Sequence, residues 1–160
     1  MRYSDPYLFS HDIDWYCNVN GIYIHVASAG GRLPTQINDD ITLRRIQYQV
    51  EQLPDIFSDE EIIYNDVVIA NVLGQNGEKD RWQYIESFSA MARKGFASFD
   101  RTNIANPDDN RYHLVCFPNN FERKPEGLDV YTVNGNININ DLMSSEFHNL
   151  IDYIGGLSIG

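Results

Sequence analysis

Residues 12–31, DIDWYCNVNGIYIHVASAGG, decide the fold, because they contain a β-hairpin whose turn and register can both be read from the sequence. Asn20-Gly21 predicts a two-residue type I′ turn, since that turn needs φ > 0 at both central positions, which Asn and Gly tolerate. The loop length fixes the register, and side chains alternate between the two faces. The predicted pairs of the apolar face are Val19 with Ile22, Cys17 with Ile24, and Trp15 with Val26.

The other face of this hairpin is polar. Tyr16 is expected opposite His25, with Asp14 one diagonal step away. One interpretation is an outer face without a site, either solvated, because antiparallel sheets commonly leave one side wet, or covered by a loop. The other is a site, in which Asp14, Tyr16 and His25 are the candidate catalytic residues. In that site the carboxylate orients the imidazole and raises its pKa for acid–base work.

Asp12 and Asp14 form the candidate metal site. They lie on one side of a strand, about 6.8 Å apart, where with His11 or His25 they could hold a divalent cation. Metal-dependent hydrolases and transferases use such carboxylates, usually with a further one that this sequence does not place. The alternative is a chance Asp-x-Asp pair.

Two further residues are candidates for binding. Arg101 could hold an anionic substrate with its planar guanidinium fork, although an Asp-Arg pair can equally be exposed or bonded within the structure. His113 lies in an apolar run, where a partly buried, hydrogen-bonded histidine is the alternative to a ligand-binding one.

The rest of the chain adds helices and strands without a linker. Residues 60–73 are rich in β-branched side chains, and their apolar residues fit neither the helical period nor the strand period well. Helix and strand both stay open for them, and we favour helix. The best helix, 78–94, carries an apolar stripe that includes Trp82, Ile85 and Ala92. The other expected elements are a helix at 40–53, strands at 96–101 and 112–117, a second Asn-Gly hairpin at 128–139 and a last helix at 141–154.

Together these elements predict one α+β domain over residues 1–160. We expect a mostly antiparallel sheet of five or six strands, opened by the N-terminal hairpin, with three or four helices packed on one face. An exposed strand edge could also support a homo-oligomer.

Charge and missing motifs narrow the function. Acidic residues outnumber basic ones 23 to 12, giving a formal net charge of −11. This disfavours nucleic acid and anionic membranes as partners, because phosphates would be repelled, and leaves a basic protein partner open. The sequence lacks the phosphate-loop, dinucleotide, nucleophile-elbow, HExxH and paired CxxC motifs, so no cofactor is predicted.

The location expected from the sequence is the cytoplasm. Cys17 and Cys116 fall in strands without a nearby companion, which is typical of small buried thiols in a reducing compartment, with a disulfide between them as the alternative. The first residues do not resemble a signal peptide, and no apolar run is long enough to cross a membrane.

Two functional hypotheses follow. The first is a soluble acidic interaction protein, a regulator or inhibitor that binds another protein through its sheet face or edges. The alternative is a small metal-assisted hydrolase or transferase that acts on an anionic substrate at the outer face of the hairpin. The enzyme hypothesis requires Asp14 and His25 to lie within about 8 Å of each other.

Overall fold

In a computed structural model that describes residues 1–74, 77–135 and 137–144, the first hairpin has the register expected from the sequence. Strands β1 (Asp14–Val19) and β2 (Ile22–Ala27) are antiparallel, with Trp15 opposite Val26 and Tyr16 opposite His25. Asn20 has φ of 50° and Gly21 has φ of 90°, as a type I′ turn requires. The hairpin prediction is confirmed.

The remaining elements follow in chain order. The helices are α1 (Asp5–Phe9), α2 (Asp40–Glu51), α3 (Asp66–Leu73), α4 (Gly77–Arg93) and α5 (Ile139–Ser144). The later strands are β3 (Ile62–Tyr64), β4 (Ala97–Arg101), β5 (Tyr112–Pro118) and β6 (Tyr131–Val133). Among the helices of the described ranges, none has the length and apolar character needed to cross a membrane.

The strands form one open six-stranded sheet in the order β3-β5-β4-β2-β1-β6. The β1–β2, β4–β5 and β3–β5 pairs are antiparallel, whereas β2–β4 and β1–β6 are parallel. The α+β class and the strand number are therefore as predicted, but the sheet is mixed. The β2–β4 pair is parallel because the chain crosses over through α2, α3 and α4 between the two strands. The chain reaches β6 from β5 through residues 119–130, which contain no helix.

Residues 60–73, left open between helix and strand, contain both. Ser58 begins a capping box in which its backbone N–H donates to Glu61 Oε1 at 3.1 Å, and a short 3₁₀ turn, Asp59–Glu61, follows. The β-branched pair after it forms β3 against β5, and α3 then begins at Asp66. No single apolar period fits this segment, because it passes from a 3₁₀ turn to a strand and then to a helix.

The second predicted hairpin, 128–139, is wrong. Its first half, β6, pairs in parallel with β1, with Cys17 opposite Tyr131, and Ile139 begins α5. The Asn20 side chain donates a hydrogen bond to the Gly135 carbonyl, which ties this segment to the first turn. Residues 131–133 therefore form their backbone ladder with the free edge of β1 and not with the segment that follows them. Of the expected last helix, 145–154 lies outside the described residues.

Helices pack against both faces of the sheet, not one. The apolar face of the hairpin, with Trp15 and Val26, shares a core with Leu8 of α1 and Leu142 of α5. A second core joins α3 and α4 to the opposite face through residues that include Phe88. Because α4 lies there, the polar face of the hairpin is covered by protein.

The two cysteines lie in these cores. Cys17 and Cys116 are both free and buried. Burial raises the pKa of each thiol to about 12 because a thiolate is costly in an apolar environment. The buried-thiol interpretation is confirmed.

Replacing Gly21 tests the turn that sets the register. Gly21→Ala should lower the free energy of unfolding by about 1–2 kcal/mol, because a side chain at positive φ is strained. A Cβ there would also approach Lys124 Nζ at 2.8 Å. Urea denaturation of Gly21→Ala and of the double variant with Lys124→Ala separates the two causes: backbone strain persists in the double variant, whereas recovery of stability there would contradict it.

Candidate functional site

The middle of the hairpin's polar face is buried rather than solvated, whereas Asp14 at its end is half-exposed. Tyr16 and His25 are only 4% and 2% exposed. The Phe88 ring of α4 lies 6.1 Å from the His25 ring, and the Tyr16 hydroxyl is 3.9 Å from the sulfur of Met91. The solvated-face interpretation is therefore wrong for these two residues, because apolar side chains of α4 pack over them.

Asp14 and His25 meet on this face, as the register predicted. His25 Nε2 lies 3.4 Å from Asp14 Oδ1, while His25 Nδ1 is 2.6 Å from the hydroxyl of Ser98. Ser98 is opposite His25 in the parallel β2–β4 pair. Nε2 is buried and has no aligned hydrogen-bond partner among the described residues. The imidazole is thus held through one nitrogen and faces a carboxylate with the other.

A second polar network lies farther along the same side of the sheet. The Tyr84 hydroxyl of α4 is 2.7 Å from Asp100 Oδ2 and 2.8 Å from His113 Nε2. His113 Nδ1 is 3.0 Å from the Thr102 hydroxyl. With Asp100 ionised, the tyrosine donates to it and accepts from His113 Nε2–H. His113 therefore has the hydrogen-bonded, buried environment that was the alternative to ligand binding.

Burial shifts the pKa of several groups in this network. It raises the pKa of Asp100 to about 6, assisted by the negative charge of Asp12. It lowers the pKa of His113 to about 4 and raises that of Tyr84. Each shift disfavours the charged form, so the interior under α4 favours neutral side chains.

An open cleft of about 330 Å³ lies beside Asp14, between the hairpin, α2 and α4. Asp12, Asp14 and Glu51 bring carboxylates to it. Lys94 is its cation, but the Lys94 ammonium donates to the Val50 carbonyl at 2.8 Å. The cleft is therefore acidic, with its one lysine engaged at the end of α2.

The predicted metal pair is only partly assembled. Asp12 Oδ1 accepts a hydrogen bond from the Ala29 N–H at 2.9 Å, which holds one of its oxygens. Within the part of the chain that the structure describes, no three His, Cys, Asp or Glu side chains form a group suited to a metal ion. A divalent cation at Asp12 and Asp14 stays a prediction.

Arg101 lies away from this cleft, and its donors are engaged by backbone carbonyls. Its Nε donates to Ser28 at 2.7 Å and its Nη2 to Ala29 at 2.7 Å. Its Nη1 donates to Asn103 at 2.6 Å and to Asn106 at 2.8 Å. Arg101 thus ties two loops together. Anion binding by Arg101 stays a prediction that requires some of these bonds to break.

Comparisons with protein families, with curated proteins and with solved structures gave no match. Sequence reasoning missed Ser98 and Tyr84, which belong to the layer of hydrogen-bonded side chains between α4 and the sheet (the polar layer). It also missed Lys94, which lines the cleft. Alternation along β4 could have indicated the face of Ser98, but its place beside His25 depends on the β2–β4 pairing, which no local pattern specifies.

The two shifted groups, Asp100 and His113, should give opposite pH effects. Because the pKa of Asp100 is raised on folding, its contribution to stability falls as pH rises from about 4 to about 6, by up to about 3 kcal/mol. Because the pKa of His113 is lowered, its contribution instead increases between about pH 4 and pH 6.5.

Urea denaturation across this pH range measures both effects. The stability of Asp100→Asn relative to the wild type should rise with pH, and that of His113→Gln should fall. Equal slopes for the two variants would contradict the assigned shifts, and His11→Gln, at an exposed histidine, is the control.

Proposed function

We propose that this chain is an acidic interaction protein, a regulator or inhibitor whose partner is a basic protein. The observation that carries the proposal is an open groove of about 440 Å³ that contains Trp82 and several carboxylates. Trp82 is 63% exposed, which is unusual for so large an apolar side chain on a helix that otherwise packs on a sheet.

The groove suits a positively charged side chain. Its carboxylates belong to Asp55, Asp59, Glu60 and Glu86. Arg93 is the groove's cation, and it pairs with Asp55 at 3.4 Å and with Asp59 at 3.0 Å. Glu60 and Glu86 therefore leave the groove acidic. An arginine or lysine of a partner could stack on the indole ring and pair with these carboxylates.

The groove adjoins an edge of the sheet. Its residues Asp59 and Glu60 lie in the 3₁₀ turn directly before the edge strand β3, where Ile63 is 39% exposed. This supports binding at a sheet edge. Binding through the hairpin face has less support because α4 covers that face. A homo-oligomer would use the same kind of edge, at β3 or β6.

Removing Trp82 tests the proposal. Trp82→Ala should raise the Kd for a hexa-arginine peptide at least about tenfold, as expected for an aromatic residue at the centre of an interface. Isothermal titration calorimetry measures this change. Tyr48→Ala removes an equally exposed aromatic side chain from α2 and serves as the control. An unchanged Kd in Trp82→Ala, or an equal loss in both variants, would contradict this site.

A second candidate is a small metal-assisted hydrolase or transferase that acts on an anionic substrate. The 3.4 Å approach of Asp14 to His25 beside an open cleft favours it. In this function Asp14 and His25 bind the metal or move a proton, with Asp12 as a further carboxylate. The cation would also offset the acidity of the cleft toward an anionic substrate.

Divalent metals test the second candidate. Saturating Mn²⁺ or Zn²⁺ should raise the Tm by several degrees, because a ligand that binds only the folded state stabilises it. The shift should disappear in Asp14→Asn and persist in Asp129→Asn, which changes an exposed carboxylate elsewhere. If no metal shifts the Tm, or if both variants keep the shift, the metal-assisted function is wrong.

A further inference from the structure

We propose that the cleft beside Asp14 binds a small organic cation, a primary amine on a short apolar skeleton. This site is separate from the Trp82 groove and does not depend on the basic-partner proposal. It shares its cleft with the metal-assisted candidate but requires neither metal nor catalysis.

The charge of the cleft selects a cation. Asp12, Asp14 and Glu51 supply three carboxylates, and Asp14 is half-exposed, so its charge is accessible to a ligand. The ammonium of Lys94 is turned toward the carbonyls of Val50 and Glu51, at 2.8 Å and 3.5 Å. It is thus directed to the end of α2. An anion would be repelled here, whereas an ammonium gains Coulomb energy.

A buried nitrogen behind Asp14, which lines the cleft, lacks a hydrogen-bond partner. His25 Nε2 has no hydrogen bond with any described residue, although the residue is only 2% exposed. Buried polar atoms are rarely left in this state, because each unsatisfied one costs free energy. The nitrogen faces Asp14, which lines the cleft. The missing hydrogen-bond partner therefore belongs on the cleft side of the imidazole.

The position of this nitrogen suits an ammonium group. When His25 Nδ1–H donates to Ser98, Nε2 carries a lone pair and accepts hydrogen bonds. Nε2 and Asp14 Oδ1 are then two acceptors 3.4 Å apart, which cannot bond to each other. A primary ammonium has three N–H donors and can bond to both when the half-exposed Asp14 side chain turns to admit it.

The other walls of the cleft suit a short carbon chain. Tyr16, Val50 and Met91 line the cleft beside the carboxylates. A volume of about 330 Å³ limits the ligand to a small molecule. The recognition elements are therefore a charged head group at Asp14 and His25 and an apolar tail toward α2 and α4.

Three four-carbon probes with different head groups test the charge requirement. We expect the Kd of n-butylamine to be at least about tenfold lower than that of n-butanol, with no binding of butyrate, because charge-assisted hydrogen bonds are the stronger ones. Titration followed by NMR also reports the site. The imidazole ¹⁵N shifts of His25 should move with n-butylamine, and those of His113, buried under the same helix, should not.

Two variants locate the head group. Asp14→Asn should raise the Kd of n-butylamine about tenfold by removing the charge, and Asp129→Asn should leave it unchanged. Equal affinity for amine and alcohol, an unchanged Kd in Asp14→Asn, or equal shifts at both histidines would overturn the proposal.

The outcomes also separate this proposal from the other two. If Trp82→Ala still binds n-butylamine, the result supports amine binding in the cleft, whether or not the basic-partner proposal holds. Amine binding without any metal shift supports the cleft and rejects the metal-assisted candidate. A metal shift lost in Asp14→Asn, with no amine binding, overturns the amine proposal in favour of a metal.

Discussion

The packing of α4 against the polar face of the hairpin is the constraint on which the rest of the structure depends. This face carries His25, and β4 adds Ser98 and Asp100, so the helix encloses groups that must find hydrogen bonds without water. Tyr84 of α4 supplies one partner, to Asp100 at 2.7 Å. The polar layer is thus a consequence of burying a face whose sequence is not apolar. Where this layer reaches the edge of α4, the acidic cleft opens.

The sequence predicted the parts of the fold that depend on neighbours along the chain. The Asn-Gly turn fixed the register of β1 and β2, and apolar spacing located α2 and α4 to within two residues. The same reasoning wrongly predicted a hairpin at the second Asn-Gly pair, because β6 pairs with β1, which is distant in the sequence. Turn chemistry specifies a hairpin only when neither strand has a better edge to join.

The candidate site was predicted to a similar extent. The meeting of Asp14 and His25 followed from register alone, so it could be deduced from the sequence. The exposure of that face could not, because it depends on where α4 lies. Trp82 shows the converse: it belongs to the apolar stripe of α4 by spacing and yet is 63% exposed. The spacing of apolar residues predicts which side of a helix a side chain lies on, whereas its burial requires another part of the protein to pack against that side.

The pairing of β6 with β1 also affects how the chain is made. The outer edge of β1 acquires its partner only after residues 131–133 have been synthesised, long after the hairpin itself. Contacts between such distant segments carry a large loop-closure cost and slow folding. Until then the nascent hairpin has an unpaired strand edge, which is a site for adventitious association with other chains. Protection of this edge of β1 thus depends on a strand that is synthesised long after the hairpin.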